Sequence, residues 1–232
     1  QAFVCIILER IKMKEIIIIG IHGFGRMRKE DFDFISIEFE KRHLNFYRFE
    51  LFDEIKKPNW EDWVKTAYHE ILPYCKEYDV ILMGFSMGGV IATYLSRLLP
   101  IKKLILISPA FYYFGLDSGY RYTKRMIKMM LSKDDSFQHY IDERVLDAAH
   151  LREFIKLVHY LRSSMKEVEL PTLILQGSAD EVIPVMTSKI VFHKIKSNDK
   201  QRILIEDGYH EFIRNKDYGG NAMPFIIDFI TS

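Results

Sequence analysis

The stretch VILMGFSMGGVIATYLSRL, residues 80–98, decides the fold class. An apolar run ends at a glycine-rich turn, GFSMG at residues 84–88, and a segment with helical spacing follows the turn. The turn fits the pattern G-x-S-x-G, in which glycines let a strand bend sharply into a helix and leave the serine hydroxyl exposed. The pattern predicts a strand, an outward-facing Ser86 and a helix from Gly89.

A glycine-rich helix start can also bind phosphate through its backbone amides. Nucleotide-binding loops usually read G-x-G-x-x-G or end in G-K-S/T, and this stretch has neither pattern. Ser86 is therefore interpreted as a candidate nucleophile. The backbone N–H of Met87, at the helix start, is a candidate donor to negative charge that develops beside the serine.

Apolar runs rich in Ile, Val and Leu alternate with helical patterns along the rest of the chain. Most of these runs are nearly continuous, which is typical of strands covered on both faces in a parallel sheet. The runs cover residues 15–21, 44–51, 79–85, 103–108, 172–177 and 201–206. The alternation predicts an α/β fold with a mostly parallel, doubly wound sheet.

One interval interrupts this alternation. Residues 111–168 carry helical patterns but no good strand, so we predict a small helical cap inserted after the strand that follows the serine turn. The core is then expected in residues 13–110 and 169–232. Residues 1–12 are interpreted as an N-terminal extension or a cloning remnant, because Met13 stands just before the first strand.

Composition limits the classes of partner. The chain has 232 residues and a net charge of +1, which fits one globular domain and gives no basic surface for nucleic acid. Cys5 and Cys75 have no disulfide or zinc spacing, which favours a reducing cytoplasmic location. The apolar run at residues 2–8 is too short to span a bilayer. The sequence indicates no oligomeric state.

A serine hydroxyl needs a general base, and an acid that orients the base. In the strand-turn-helix setting the expected chain order is Ser, then Asp or Glu, then His. Of the eight histidines, His193 and His210 are the two that follow the cap. His193 lies in a helical pattern, whereas His210 follows the last predicted strand, so His210 is the candidate base.

The acid is expected in the loop after the strand at 172–177. This loop offers Asp180 and, as the second choice, Glu181. An aspartate at this place can also serve only to cap the next helix.

A second backbone donor is expected after the first strand. There the sequence reads HGFG at residues 22–25, and the N–H of Phe24 is the candidate partner of the Met87 N–H. Gly23 and Gly25 let the backbone bend, and His22 is expected to shape the loop rather than to transfer a proton. The alternative is a simple turn without a catalytic role.

Four segments resemble the α/β-hydrolase superfamily in their order and in following predicted strands. They are HGFG (22–25), GFSMGG (84–89), GSADEVIP (177–184) and DGYHE (207–211). Within the superfamily, the chain is similar to the small bacterial carboxylesterase and monoacylglycerol-lipase branch. The usual first antiparallel strands are missing unless residues 2–8 supply one.

The resemblance implies a serine esterase or lipase with the catalytic residues Ser86, Asp180 and His210. It implies a small-molecule ester of small to medium acyl chain as substrate, an acyl-enzyme intermediate, and neither a metal nor an organic cofactor. Candidate pocket residues are aromatic and methionine side chains at the entry to the cap and within it: Phe111, Tyr112, Met126 and Met130. These side chains can instead simply pack the cap onto the core.

Three other functions remain open at this point. Basic residues in the cap would suit an acyl-CoA thioesterase. A peptidase that releases N-terminal residues would need an acidic cap residue such as Glu143 or Glu153. A hydrolase-like binding protein would usually carry a broken triad, whereas all three members are present here.

Overall fold

The computed structural model describes residues 14–25, 28–52, 57–112 and 148–232. The predicted N-terminal extension at 1–12 and most of the predicted cap lie outside the described residues. The candidate pocket residues Met126 and Met130 lie outside them as well.

The strands form one sheet in which every neighbouring pair is parallel. The strands in the described residues are β1 Ile16–Ile21, β2 Asn45–Arg48, β3 Asp79–Phe85, β4 Ile101–Ile107, β5 Thr172–Gly177 and β6 Lys200–Ile205. Their order across the sheet is β2-β1-β3-β4-β5-β6. The predicted α/β class with a doubly wound sheet is confirmed.

Helices α1 to α6 lie between successive strands and α7 follows the last strand, as the alternating pattern predicts. The α-helices in the described residues are α1 Asp33–Glu40, α2 Trp60–Ile71, α3 Tyr74–Glu77, α4 Met87–Leu95, α5 Ala148–Leu161, α6 Met186–Lys194 and α7 Lys216–Thr231. None of these helices combines the length and apolar composition needed to cross a bilayer.

Two buried clusters cover the two faces of the sheet. Helices α1 and α7 pack on one face, and α2, α4, α5 and α6 pack on the other. Along β1, Ile18 points into the first cluster, whereas Ile17 and Ile19 point into the second. The strand is continuously apolar because both of its faces are covered.

The topology brings the predicted site segments together. From β1 the chain moves outward to β2 and then returns to β3 on the other side of β1. In open parallel sheets, ligands bind outside the carboxyl ends of the strands where the strand order reverses in this way. HGFG follows β1 and the serine turn follows β3, so both lie at this position.

Candidate active site

Ser86 occupies a strained turn between β3 and α4. Its backbone has φ 52° and ψ −115°, a conformation that residues other than glycine rarely adopt. Its N–H donates to the Ile107 carbonyl at 2.9 Å, and its own carbonyl accepts from Gly89 and Ala110 at 3.0 Å each. The neighbouring backbone therefore holds the strained conformation. Helix α4 begins at Met87, two residues earlier than predicted, because the chain turns within Ser86 itself.

Gly88 lets the start of α4 approach the end of β1. A Cβ at Gly88 would lie 2.0 Å from the Ile21 carbonyl oxygen, a distance that no side chain tolerates. This contact between backbones holds the serine turn beside the HGFG loop.

His210 lies on the loop after β6, with its ring between Ser86 and Asp180. The distance from His210 Nε2 to Ser86 Oγ is 3.1 Å, and the distance from Nδ1 to Asp180 Oδ2 is 3.0 Å. The ring is nearly buried and packs against Phe85, with ring centres 5.1 Å apart. His193, by contrast, is exposed on α6. The geometry allows a proton to pass from the serine hydroxyl to Nε2 while Nδ1–H donates to Asp180.

The side chain of Asp180 is completely buried, and donors face both of its oxygens. Oδ1 accepts from the backbone N–H groups of Val182 and Ile183 at 2.9 and 2.8 Å. Oδ2 accepts from Gln176 Nε2 at 2.5 Å in addition to the His210 ring. These donors compensate the buried negative charge and fix the carboxylate against the imidazole.

Two further side chains hold the backbone of His210. Glu181 Oε2 accepts the His210 N–H at 3.1 Å, and the buried Ser108 Oγ donates to the His210 carbonyl at 3.3 Å. Glu181, the second choice for the acid in the sequence, thus contacts the backbone of His210 rather than its ring. No sequence pattern indicated Ser108.

The HGFG loop lies directly beside the serine. A Cβ at Gly23 would lie 3.4 Å from the Ser86 Cβ. Within the described residues, neither the Phe24 N–H nor the Met87 N–H donates a hydrogen bond. These two amides therefore stay the candidate donors to a developing oxyanion.

His22 is completely buried and orients the next peptide unit. Its Nδ1 lies 2.7 Å from the Gly23 carbonyl oxygen, and its Nε2 lies 2.9 Å from the Leu51 N–H and 2.8 Å from Glu50 Oε1. The Leu51 N–H donates to Nε2, so the ring proton is on Nδ1. The Nδ1–H donates to the Gly23 carbonyl, which fixes the peptide that carries the Phe24 N–H.

An aromatic cluster surrounds the half-buried ring of Phe24. The ring centre of Phe24 lies 5.1 Å from that of Phe154 on α5, 6.1 Å from Phe52 and 6.4 Å from Trp63 on α2. Helix α5, which the sequence assigns to the cap, therefore contacts the candidate oxyanion loop. No local sequence pattern marks this cluster, since its members are far apart along the chain.

The two candidate pocket residues that the structure describes, Phe111 and Tyr112, line a cavity whose described walls do not include the serine turn. Phe111 is buried in the core, and together with Tyr112 it borders a cavity of about 320 Å³ next to α5. The described walls of this cavity do not include Ser86 or His210. A substrate role for Phe111 and Tyr112 stays a prediction.

The described residues hold no group of three or more His, Cys, Asp and Glu side chains placed to bind a metal ion. The described site brings together a serine in a strained turn, a histidine ring held by a buried carboxylate, and two amides that are candidate donors. This set is suited to nucleophilic attack on a carbonyl carbon.

Comparison with protein families gives an independent result. The family model described as serine aminopeptidase, S33, matches residues 58–217. This range contains the serine turn, the acid loop and His210.

Individual relatives are named as ester hydrolases. A Mycoplasma pneumoniae protein whose name places it among esterases and lipases is 24% identical in an alignment of 172 positions that covers 64% of this chain and 63% of that protein. The thermostable monoacylglycerol lipase of Bacillus sp. strain H-257 is 22% identical over 186 residues, 76% of this chain and 71% of that protein. The match to the first relative thus spans less than two thirds of its length.

Solved structures share the fold. The structure of the metagenome-derived lipolytic enzymes LipS and LipT aligns with a TM-score of 0.72 at 14% identity and covers 95% of this chain and 96% of that chain. The monoacylglycerol lipase of Paleococcus ferrophilus aligns with a TM-score of 0.67 at 18% identity and covers 92% and 93%. At these identities the likeness is one of fold.

Proposed function

The chain belongs to the α/β-hydrolase family described as serine aminopeptidase S33, and we propose that it hydrolyses carboxylic esters with Ser86 as nucleophile. The observation that carries this proposal is the 3.1 Å contact between Ser86 Oγ and His210 Nε2 at a strained turn. Relatives named esterase, carboxylesterase and monoacylglycerol lipase support the choice of ester over other substrates.

In the proposed reaction, Ser86 Oγ attacks the ester carbonyl carbon while His210 Nε2 takes the hydroxyl proton. The tetrahedral oxyanion accepts hydrogen bonds from the Phe24 and Met87 amides. When the C–O bond to the alcohol breaks, the imidazolium returns the proton to the leaving oxygen. Water then repeats the sequence on the acyl-enzyme and releases the acid. Asp180 keeps Nδ1 protonated and stabilises the charged ring.

We infer an acyl group of small to medium length from the aromatic cluster around Phe24. Phe52, Trp63 and Phe154 are buried, and the half-buried ring of Phe24 belongs to the residue whose amide would bind the oxyanion, so an alkyl chain on the carbonyl carbon would lie next to this ring. The cluster includes Phe154 of α5, which supports residues 111–168 as a cap over the core. Location in a reducing cytoplasm stays a prediction.

Release of N-terminal residues is the second candidate, because the family description names aminopeptidases. Such an enzyme needs a carboxylate to hold the substrate's α-ammonium group. Glu153 accepts from the Trp60 N–H at 3.3 Å and pairs with Lys156 at 2.7 Å. The hydrogen bond from Lys156 lowers the pKa of Glu153, and burial opposes this effect. These contacts disfavour Glu153 as the anchor; Glu143 lies outside the described residues.

The test compares turnover of p-nitrophenyl acetate, butyrate and octanoate with turnover of L-alanine p-nitroanilide. We expect ester hydrolysis to exceed anilide hydrolysis and to disappear in Ser86→Ala. Ser96→Ala is the matched control, since Ser96 is a buried serine at the end of α4 that donates to Thr93. Anilide hydrolysis in excess of ester hydrolysis would favour the peptidase instead.

A further inference from the structure

Asp31 is a buried acid for which the proposed reaction has no use. It lies in the short 3-10 helix Arg28–Phe32 that follows the HGFG loop, and its side chain is completely buried. Asp31 Oδ1 lies 2.5 Å from Arg214 Nη2. Replacing a buried ion pair by apolar residues often leaves stability unchanged or higher, so the pair by itself is weak support for a purely stabilising role.

The pair connects two segments of the candidate active site. On the acid side, Asp31 Oδ2 accepts the Gly23 N–H at 3.3 Å, and Gly23 precedes the candidate oxyanion donor Phe24. On the basic side, Arg214 ends a short 3-10 helix that begins two residues after His210. Arg214 Nη1 also donates to Glu211, the neighbour of His210, at 3.0 Å.

The contact with Asp31 completes the fixation of Gly23. Its carbonyl accepts from His22 Nδ1 at 2.7 Å, and its N–H donates to Asp31 at 3.3 Å. With both polar groups of this glycine held, its two backbone angles are restrained. The direction of the Phe24 N–H follows from these angles, because that N–H belongs to the same peptide unit as the Gly23 carbonyl.

We propose that Asp31 and Arg214 are positioning residues that hold the oxyanion loop in register with the loop that carries His210. The inference rests on the proposed function, since an oxyanion donor matters only if Ser86 attacks a carbonyl. Misplacement by about 1 Å can lower a catalytic rate by about 100-fold. A pair that joins the donor loop to the base loop therefore acts on kcat more than on substrate binding.

The primary variants are Asp31→Ala, which removes the contacts of the carboxylate with the Gly23 N–H and with Arg214, and Arg214→Met, which keeps the length of the side chain without its charge. We expect each variant to lower kcat for p-nitrophenyl butyrate by about tenfold to 100-fold and to leave KM within about twofold of wild type. Asp31→Asn keeps an acceptor for the Gly23 N–H. We expect it to retain more of kcat than Asp31→Ala, a rescue that general destabilisation does not produce.

Two controls separate positioning from stability. Ile230→Ala removes a buried side chain in the cluster under α7, so it lowers the thermal midpoint without touching the site. Arg97→Met removes a partly exposed pair between Arg97 and Glu167. We expect both controls to keep kcat within about twofold of wild type at temperatures where they are folded.

Hydrogen exchange of peptides that cover residues 21–25 gives a readout that does not require activity. We expect faster exchange in Asp31→Ala and Arg214→Met than in wild type or Ile230→Ala. In Asp31→Ala the Gly23 N–H loses its acceptor, and in Arg214→Met the side chain of Asp31 loses its ion pair. If the alanine or methionine variant does not fold, Asp31→Asn and Arg214→Lys are compared in the same two assays, with smaller losses of kcat expected.

The two proposals fail in different ways. The positioning role would be overturned if the wild type hydrolyses the ester and the Asp31 and Arg214 variants match Ile230→Ala in kcat and in loop exchange. The proposed esterase function would still stand in that case. A wild type without ester turnover would overturn the proposed function, and the exchange rates of the loop would still decide whether the pair holds it.

Discussion

Glu181 accepts the backbone N–H of His210 at 3.1 Å, whereas its neighbour Asp180 contacts the imidazole ring. Two adjacent carboxylates thus hold one histidine at two different places. We expect Asp180→Asn to lower kcat by about 10⁴-fold, since the amide favours the wrong tautomer of the ring. Glu181→Gln retains an oxygen that can accept the N–H, so we expect a loss of less than about tenfold. Ester kinetics of both variants measure this difference, and equal losses would contradict the division of roles.

We predict that the orientation of the HGFG loop, the candidate oxyanion loop, depends on the contact between His22 Nδ1 and the Gly23 carbonyl. In His22→Asn the amide nitrogen stands near the position of Nδ1 and can still donate to the Gly23 carbonyl. In His22→Gln the amide group reaches the position of Nε2 instead. We therefore predict that His22→Asn retains a kcat at least about fivefold higher than His22→Gln, because loss of a positioned donor can cost about 100-fold or more. The reverse order would show that the contacts with Leu51 and Glu50 matter more.

Gly88 is required by the approach of α4 to the end of β1. We expect Gly88→Ala to lower the free energy of unfolding by at least about 3 kcal/mol or to prevent folding, because its Cβ would overlap the Ile21 carbonyl. Gly220 in α7 is the matched control, since a Cβ there meets no atom within 4 Å. Gly220→Ala should raise stability by about 0.5 to 1 kcal/mol. Urea unfolding measures both values, and a stable Gly88→Ala would contradict the close contact.

Cys75 should be an unreactive thiol in the folded chain. Burial raises its pKa, and the ammonium of Lys14 opposes this shift without cancelling it. The reactive thiolate is therefore scarcer than in an unfolded chain at the same pH. The contribution of the buried thiol to stability is complete below its unfolded pKa of about 8.5 and is lost as the pH rises through that value and the folded pKa.

The reactivity of Cys75 is measured with a disulfide reagent in the Cys5→Ser variant, in which Cys75 is the one remaining cysteine. We expect the reaction at pH 8 to be much slower in buffer than in a urea concentration that unfolds the protein. Equal rates in the two conditions would mean that the region around Cys75 opens readily.

The fold, and the residues Ser86, Asp180 and His210 that it brings into contact, could be predicted because their geometry requires particular residue types. Glycine beside Ser86 and continuous apolar strands are local demands of the backbone, so they are visible in sequence. The choice between Asp180 and Glu181 is harder to make from sequence, because both residues carry a carboxylate in the same loop and differ only in the direction of the side chain. Contacts such as Asp31 with Arg214 depend on elements that meet only in the folded chain, and no local pattern marks them.

Element ends were also less predictable than element types. The helical pattern of the last helix is clear in the sequence only over residues 225–230, but the helix runs from Lys216 to Thr231. Gly219, Gly220 and Pro224 weaken the helical pattern at its start, yet Asn215 caps the helix by accepting from two backbone N–H groups. Strand β2 is shorter than the predicted run of 44–51, since as an edge strand it pairs only with β1.

Ser86 is the proposed nucleophile, and mass spectrometry of the protein after reaction with a fluorophosphonate determines whether Ser86 is activated. We predict one covalent adduct on the peptide that contains Ser86, formed rapidly in wild type and in Ser96→Ala and absent from Ser86→Ala. A folded wild type that forms no adduct, or an adduct that persists in Ser86→Ala, would contradict the account.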